Sequence, residues 1–89
     1  MRRVRVSVIG HVQGVFYRAS CARLATRLGI AGSIRNVGHD GVEAVFEGRD
    51  EDVEELLAWC HRGPEDARVE RVEVSEETPT GERGFRVTR

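Results

Sequence analysis

Alternation of apolar and polar side chains predicts a β-strand near the start of the chain. Over residues 3–9 the side chains of Val4, Val6 and Val8 share one face and polar side chains the other, which is the period of a half-buried strand. Further extended stretches are predicted at residues 30–37, at 42–47, around Val69, Val72 and Val74, and at 85–88. The second and third stretches should form an antiparallel hairpin, because the Asp40-Gly41 pair between them favours a tight turn.

Two other stretches repeat their apolar residues every three or four positions and are predicted to be helices. The first begins near Phe16 and ends at Gly29, a residue suited to the left-handed stop of a helix. The second runs from Asp50 to about Arg62 and opens with acidic residues, which complement the positive end of a helix. Each apolar stripe contains one cysteine, Cys21 or Cys60, so both thiols are expected to be reduced and packed in the core. A disulfide between the two helices remains an alternative.

The order of these elements predicts an α+β fold of the ferredoxin-like kind. It is a βαββαβ sandwich with an antiparallel sheet, two helices on one face and a short extra C-terminal strand. Eighty-nine residues are enough for one core, so residues 1–89 should form a single domain. No apolar run approaches the roughly 20 residues of a membrane span, and we expect a soluble, cytoplasmic protein.

Charge is distributed unevenly along the chain. Residues 1–35 contain seven Arg and no acid, whereas residues 36–89 contain seven Arg and fifteen acids. This asymmetry favours a small phosphorylated ligand over a nucleic acid, which usually requires a broad basic face. The absence of Lys excludes Schiff-base chemistry and leaves Arg as the cationic phosphate ligand. The dispersed His11, His39 and His61 do not predict a metal site.

The segment from Gly10 to Arg18, GHVQGVFYR, is a glycine-bounded loop between a predicted strand and a predicted helix. Such a loop can direct successive backbone amides inward, and the helix start adds free N–H groups, so the two together can bind a phosphate dianion. Arg18, in the first helical turn, can direct its guanidinium to the same place. Alternatively, Gly10 and Gly14 are ordinary turn residues and Arg18 is a solvated surface charge.

This loop resembles the signature of the acylphosphatase family, a VQGV loop followed by an aromatic residue and an Arg. The matching residues are Gly10, Val12, Gln13, Gly14, Val15, Tyr17 and Arg18. A second family motif is matched by Gly32, Arg35, Asn36, Val42 and Gly48, so the resemblance covers nearly the whole chain. The chain departs from the family at Ser33, usually aromatic, and at Asp40-Gly41, one residue later than usual. We expect the first change to loosen the floor near Asn36 and the second to reshape the turn.

The resemblance implies hydrolysis of small acyl phosphates with no metal or cofactor. It implies that Arg18 binds the phosphate together with the backbone amides of His11, Val12, Gln13, Gly14 and Val15, and that Asn36 orients the attacking water. A carboxylate leaving group, whose acid has a pKa of about 4, departs without a general acid. The expected partners are an acyl phosphate substrate and inorganic phosphate as product and inhibitor. The chain should be a monomer that binds neither nucleic acid nor membrane.

Other functions are compatible with the predicted fold. A noncatalytic domain that binds phosphate or an acidic partner would use Arg18 but have no need for Asn36. A module that handles carbamoyl phosphate is a close enzymatic variant, because acylphosphatase-like modules also occur within larger maturation proteins. RNA binding is less favoured, since the sheet lacks the aromatic pairs of an RNA-reading domain. A loop that holds only the phosphoryl group predicts that several acyl phosphates are substrates.

Overall fold

A computed structural model describes all 89 residues and contains five strands and two helices. In chain order they are β1 (Arg2–His11), α1 (Tyr17–Arg27), β2 (Ala31–Val37), β3 (Gly41–Gly48), α2 (Asp50–Cys60), β4 (Arg68–Glu77) and β5 (Phe85–Val87). The predicted α+β, ferredoxin-like order βαββαβ with an extra C-terminal strand is confirmed. Neither helix has the length and apolar character that crossing a membrane requires.

The five strands form one sheet in the order β4-β1-β3-β2-β5. The first four are antiparallel to their neighbours, as predicted, but β5 runs parallel to β2, with Gly32 opposite Phe85. The sheet is therefore mixed. Parallel neighbours require a crossover, and here residues 78–84, the return loop, carry the chain from β4 at one edge of the sheet to β5 at the other, beside β2. The alternation of side chains identified β5 as a strand but held no information on its direction.

Both helices pack on one face of the sheet, where the apolar residues of alternate strand positions form the core. Val4, Val6 and Val8 of β1 are fully buried there, as the alternation predicts. The thiols of Cys21 and Cys60 are buried and free, which agrees with the expectation of reduced, packed cysteines. A hydrogen bond to Cys60, together with burial, raises the pKa of the Cys21 thiol well above its ordinary value.

The excess of arginine in the N-terminal third is largely neutralised by pairing within the sheet. Arg2 and Arg3 of β1 form salt bridges with carboxylates of α2, β3, β4 and the return loop. Arg5 and Arg35 likewise pair with Glu43. The uneven charge along the sequence thus becomes a set of ion pairs across neighbouring strands. These four arginines are therefore paired with carboxylates, whereas Arg18 in α1 has no carboxylate partner.

Glu47 of β3 anchors the return loop to the open face of the sheet. Its side chain is only 2% exposed, and its carboxylate accepts hydrogen bonds from the backbone N–H groups of Thr80 at 3.0 Å and Gly81 at 2.8 Å. Arg3 Nη1 donates a third, at 2.9 Å. The Thr80 amide is the largest influence on the carboxyl, and with Arg3 and Gly81 it lowers the pKa of Glu47 from 4.5 to about 2, against burial, which raises it. Ionised Glu47 therefore holds the segment that leads to β5.

We expect this carboxylate to make stability depend on pH. A carboxyl whose pKa is lowered by folding contributes stability that is complete above its ordinary value of 4.5 and is lost as the pH falls towards about 2. Glu47→Gln should reduce the free energy of unfolding at pH 7, and its difference from the unaltered chain should shrink between pH 4.5 and pH 2. Urea unfolding at several pH values measures this. Glu70→Gln, at an exposed position of β4, is the control, and equal effects of the two substitutions at every pH would contradict the prediction.

Candidate active site

The loop between β1 and α1 is shorter than the sequence predicts. Gly10 and His11 belong to β1, where His11 lies opposite Arg68 of β4, so the loop comprises residues 12–16 rather than beginning at Gly10. The register of the two strands shifts between Ile9 and Gly10. Gly10 has a φ of 147°, and a Cβ atom there would lie 2.1 Å from the carbonyl oxygen of Arg68. Glycine at this position therefore allows β4 to approach and β1 to continue to the edge of the loop.

The loop presents backbone N–H groups that have no partner in the chain. None of the backbone hydrogen bonds outside the helices and strands has its donor among residues 12–16. Phe16 occupies the N-cap position of α1, no side chain caps the helix, and its first turn contains no acidic residue. The first turn of α2, by contrast, contains three acidic residues. The positive end of α1 is therefore uncompensated, a property of helix ends that bind anions.

Gln13 fixes this loop against the β2–β3 hairpin through its side chain. Its Nε2 atom lies 2.8 Å from the carbonyl oxygen of Gly41, 3.0 Å from that of Gly38 and 3.3 Å from that of Val37. The family resemblance implies only a backbone role for Gln13, and this side-chain role was not predicted. A long side chain with two N–H donors in a short loop is the available signal, but its partners are distant in sequence.

Arg18 lies in the first turn of α1 with its guanidinium largely uncommitted. Its Nη1 atom donates one long hydrogen bond, 3.4 Å, to the carbonyl oxygen of Thr88, just after β5. A guanidinium has five N–H donors, so most of its hydrogen-bonding capacity remains for a ligand. Arg18 lines a cavity of about 280 Å³ together with Val12 and Gly14 of the loop. The guanidinium side chain of Arg18 and part of the predicted phosphate loop therefore line the same cavity.

Asn36 lies near the end of β2, opposite Val42, with its side chain on the helix-covered face of the sheet. Its Oδ1 atom is buried and has no hydrogen-bond partner in the chain. The next residue, Val37, contacts Gln13 through its carbonyl oxygen, so Asn36 lies beside the β1–α1 loop. Ser33 faces the opposite side of the sheet, towards Val45, and the expectation that it loosens the floor near Asn36 is wrong.

The predicted site residues are only partly gathered around one cavity. Val12, Gly14 and Arg18 line it, whereas the exposed His11 lies at the strand end. Val15 packs partly against the core instead. Gln13 and Asn36 lie on the hairpin side of the loop and do not line the cavity. No three His, Cys, Asp or Glu side chains are grouped so as to hold a metal ion.

A larger groove, of about 510 Å³, lies between the two helices and is lined by Arg23, Arg27 and Arg62. In a helix that turns by about 100° per residue, Arg23 and Arg27 point away from Arg18. None of residues 12–16, which carry the unpartnered amides, lines the groove. It is a basic helix surface and does not form part of the site at the loop.

Comparison with known proteins identifies the family to which the chain belongs. The family model described as acylphosphatase matches residues 4–87. An acylphosphatase of Rubrobacter xylanophilus is 56% identical over 97% of this chain and 79% of that protein, and one of Methylococcus capsulatus is 55% identical over 92% and 89%. A solved acylphosphatase structure from Coxiella burnetii superimposes with a TM-score of 0.93 at 34% identity, covering 98% of this chain and 92% of that one. The chain therefore belongs to the acylphosphatase family of enzymes.

Proposed function

We propose that this chain hydrolyses the carboxyl–phosphate bond of small acyl phosphates to a carboxylate and inorganic phosphate, with no metal or other cofactor. The observation that carries the proposal is the run of unpartnered amides at residues 12–16, which leads into the uncompensated positive end of α1 beside the guanidinium of Arg18. This arrangement suits a phosphoryl group, whose several oxygens accept hydrogen bonds from different directions.

In the proposed complex, Arg18 and the amides of the loop bind the phosphoryl oxygens. The amides are those of residues 11–15, with His11 contributing from the end of β1. Gln13 adds a second contribution, because its side chain holds the loop at the hairpin that carries Asn36. Donors fixed before the substrate arrives stabilise developing charge without reorganising during the reaction.

Asn36 is proposed to position the attacking water through its Oδ1 atom. A buried amide oxygen without a partner is costly, and a water that donates a hydrogen bond to it would satisfy it. The water oxygen then forms a bond to phosphorus while the bond from phosphorus to the carboxyl oxygen breaks. The electron pair of that bond leaves with the carboxylate.

The proposed reaction needs neither a general acid nor a strong base. The carboxylate leaves unprotonated, because the pKa of its acid is about 4. An amide side chain does not accept a proton at neutral pH, so the proton of the attacking water passes to a phosphoryl oxygen of the substrate. The catalytic contribution of the protein is then positioning and stabilisation of charge, the main tasks in phosphoryl transfer.

A noncatalytic phosphate-binding domain would share the loop and Arg18 but leave the buried, unpartnered Oδ1 of Asn36 without a role. Hydrolysis is therefore preferred over binding alone.

We further propose that residues 1–89 form a single acylphosphatase-like domain. The protein is a monomer that acts in the cytoplasm and binds neither nucleic acid nor a membrane.

The proposal is tested by hydrolysis of benzoyl phosphate with purified protein before and after exhaustive EDTA treatment. We expect turnover in both samples at the same rate, because neither the loop amides nor Arg18 needs a metal to bind phosphate. Added magnesium should bring no increase. Loss of turnover on chelation that one metal ion restores would contradict the metal-free mechanism. No hydrolysis by folded, untreated protein would contradict the proposed activity itself.

A further inference from the structure

Phe16 is an unusual residue at the mouth of the proposed site. It is the one non-glycine residue with a positive φ, 65°, and its ψ of 21° places it in the left-handed region. Bulky residues rarely adopt this conformation, because the side chain crowds the following carbonyl. Phe16 is also 78% exposed, so its phenyl ring gains little from burial. Folding accounts for neither the strain nor the exposure, and such outliers concentrate at functional sites.

The ring lies at the wall of the cavity that contains Arg18. That cavity, of about 280 Å³, is otherwise lined largely by apolar side chains, among them Val12, Ala19 and Val87. Val87 of β5 is 47% exposed. Two exposed apolar side chains therefore flank one cationic group, and Arg18 is the one charged residue in the lining.

We propose that Phe16 and Val87 form an apolar subsite for the acyl portion of the substrate, so that the enzyme prefers aromatic or branched aliphatic acyl phosphates over acetyl phosphate. This inference rests on the proposed hydrolysis of acyl phosphates. With the phosphoryl group bound at Arg18, the acyl group extends into the remainder of the cavity, where it covers the phenyl ring and the valine side chain. An acyl group with a second negative charge finds no second cation there.

The test compares kcat/KM for benzoyl phosphate and acetyl phosphate. We expect a benzoyl-to-acetyl ratio of about 10 or more for the unaltered chain, the discrimination typical of a small apolar pocket. Phe16→Asn is the first variant, because asparagine tolerates the left-handed conformation and preserves the loop backbone while removing the ring. It should lower the ratio by at least about threefold, with the larger loss on benzoyl phosphate. Val87→Ser should change the ratio in the same direction.

Val74→Ser is the matched control, because Val74 is also exposed and apolar but belongs to β4 and does not line the cavity. It should leave both rates unchanged. Inhibition by inorganic phosphate, which has no acyl group, should be similar in all four proteins. A ratio near one in the unaltered chain, or an equal loss on both substrates in Phe16→Asn, would overturn the subsite while leaving hydrolysis intact. Absence of hydrolysis of either substrate would instead refute the proposed function, and the subsite with it.

Discussion

Arg18→Ala is expected to lower kcat for benzoyl phosphate by about 10²- to 10³-fold and to abolish inhibition by inorganic phosphate at concentrations that inhibit the unaltered chain. The reason is that Arg18 is the one charged residue lining the cavity, and its guanidinium is bound within the chain by one long hydrogen bond only. Without it, the loop amides alone would face the charge that develops on the phosphoryl oxygens. Steady-state hydrolysis and phosphate inhibition on the same preparation measure both effects.

Two further variants show whether geometry or charge is responsible. Arg18→Lys should recover little activity, because an ammonium lacks the planar fork that donates two parallel hydrogen bonds. Arg23→Ala removes an exposed charge from the same helix on a side turned away from Arg18, so it should leave both kcat and phosphate inhibition unchanged. Wild-type turnover in Arg18→Ala, or equal losses in the Arg18 and Arg23 variants, would show that the site is assigned wrongly.

Asn36→Ala should leave phosphate inhibition nearly unchanged while kcat falls by about 10²-fold or more, the usual loss when attack geometry is removed. Arg18 and the loop amides remain in this variant, so the ground-state phosphate contacts persist. A residue used equally in the ground and transition states would change KM instead, with little effect on kcat. Removing the unpartnered Oδ1 also relieves a buried polar atom, so the fold should be retained.

Ser33→Ala is the matched control for Asn36→Ala, since Ser33 belongs to the same strand but faces the other side of the sheet. It should not alter kcat. Circular dichroism should be native for both variants before their kinetics are compared. Unchanged kcat in a folded Asn36→Ala protein would reject Asn36 as the residue that positions water and would favour a phosphate-binding domain without catalysis.

Local patterns of the sequence predicted the elements of the fold well. Alternation of valines identified β1, and apolar repeats with their glycine stops identified both helices to within about two residues, the accuracy expected of element boundaries. The burial of both cysteines also followed from the helical spacing. These features depend on residues close together in the chain, where periodicity carries the information.

Features that join distant residues were not predicted. Gly10 belongs to a strand because β4 passes so close to it, and the parallel direction of β5 follows from the path of the return loop. The hydrogen bonds of Gln13 to the hairpin and of Glu47 to Thr80 span 24 to 33 residues. No local pattern specifies such partners. The family motifs identified the candidate site residues. The unpartnered amides and the buried Oδ1 of Asn36 could be recognised only from the three-dimensional structure.

Binding of phosphate at the start of α1 is the central claim, and it is tested most directly by titrating inorganic phosphate into isotope-labelled protein and following backbone amide resonances by NMR. We expect the largest shifts at residues 11–16 and at Arg18, and we expect them to disappear in Arg18→Ala. Shifts concentrated instead around Arg23, Arg27 and Arg62, in the groove between the helices, would contradict it, as would the absence of any saturable shift.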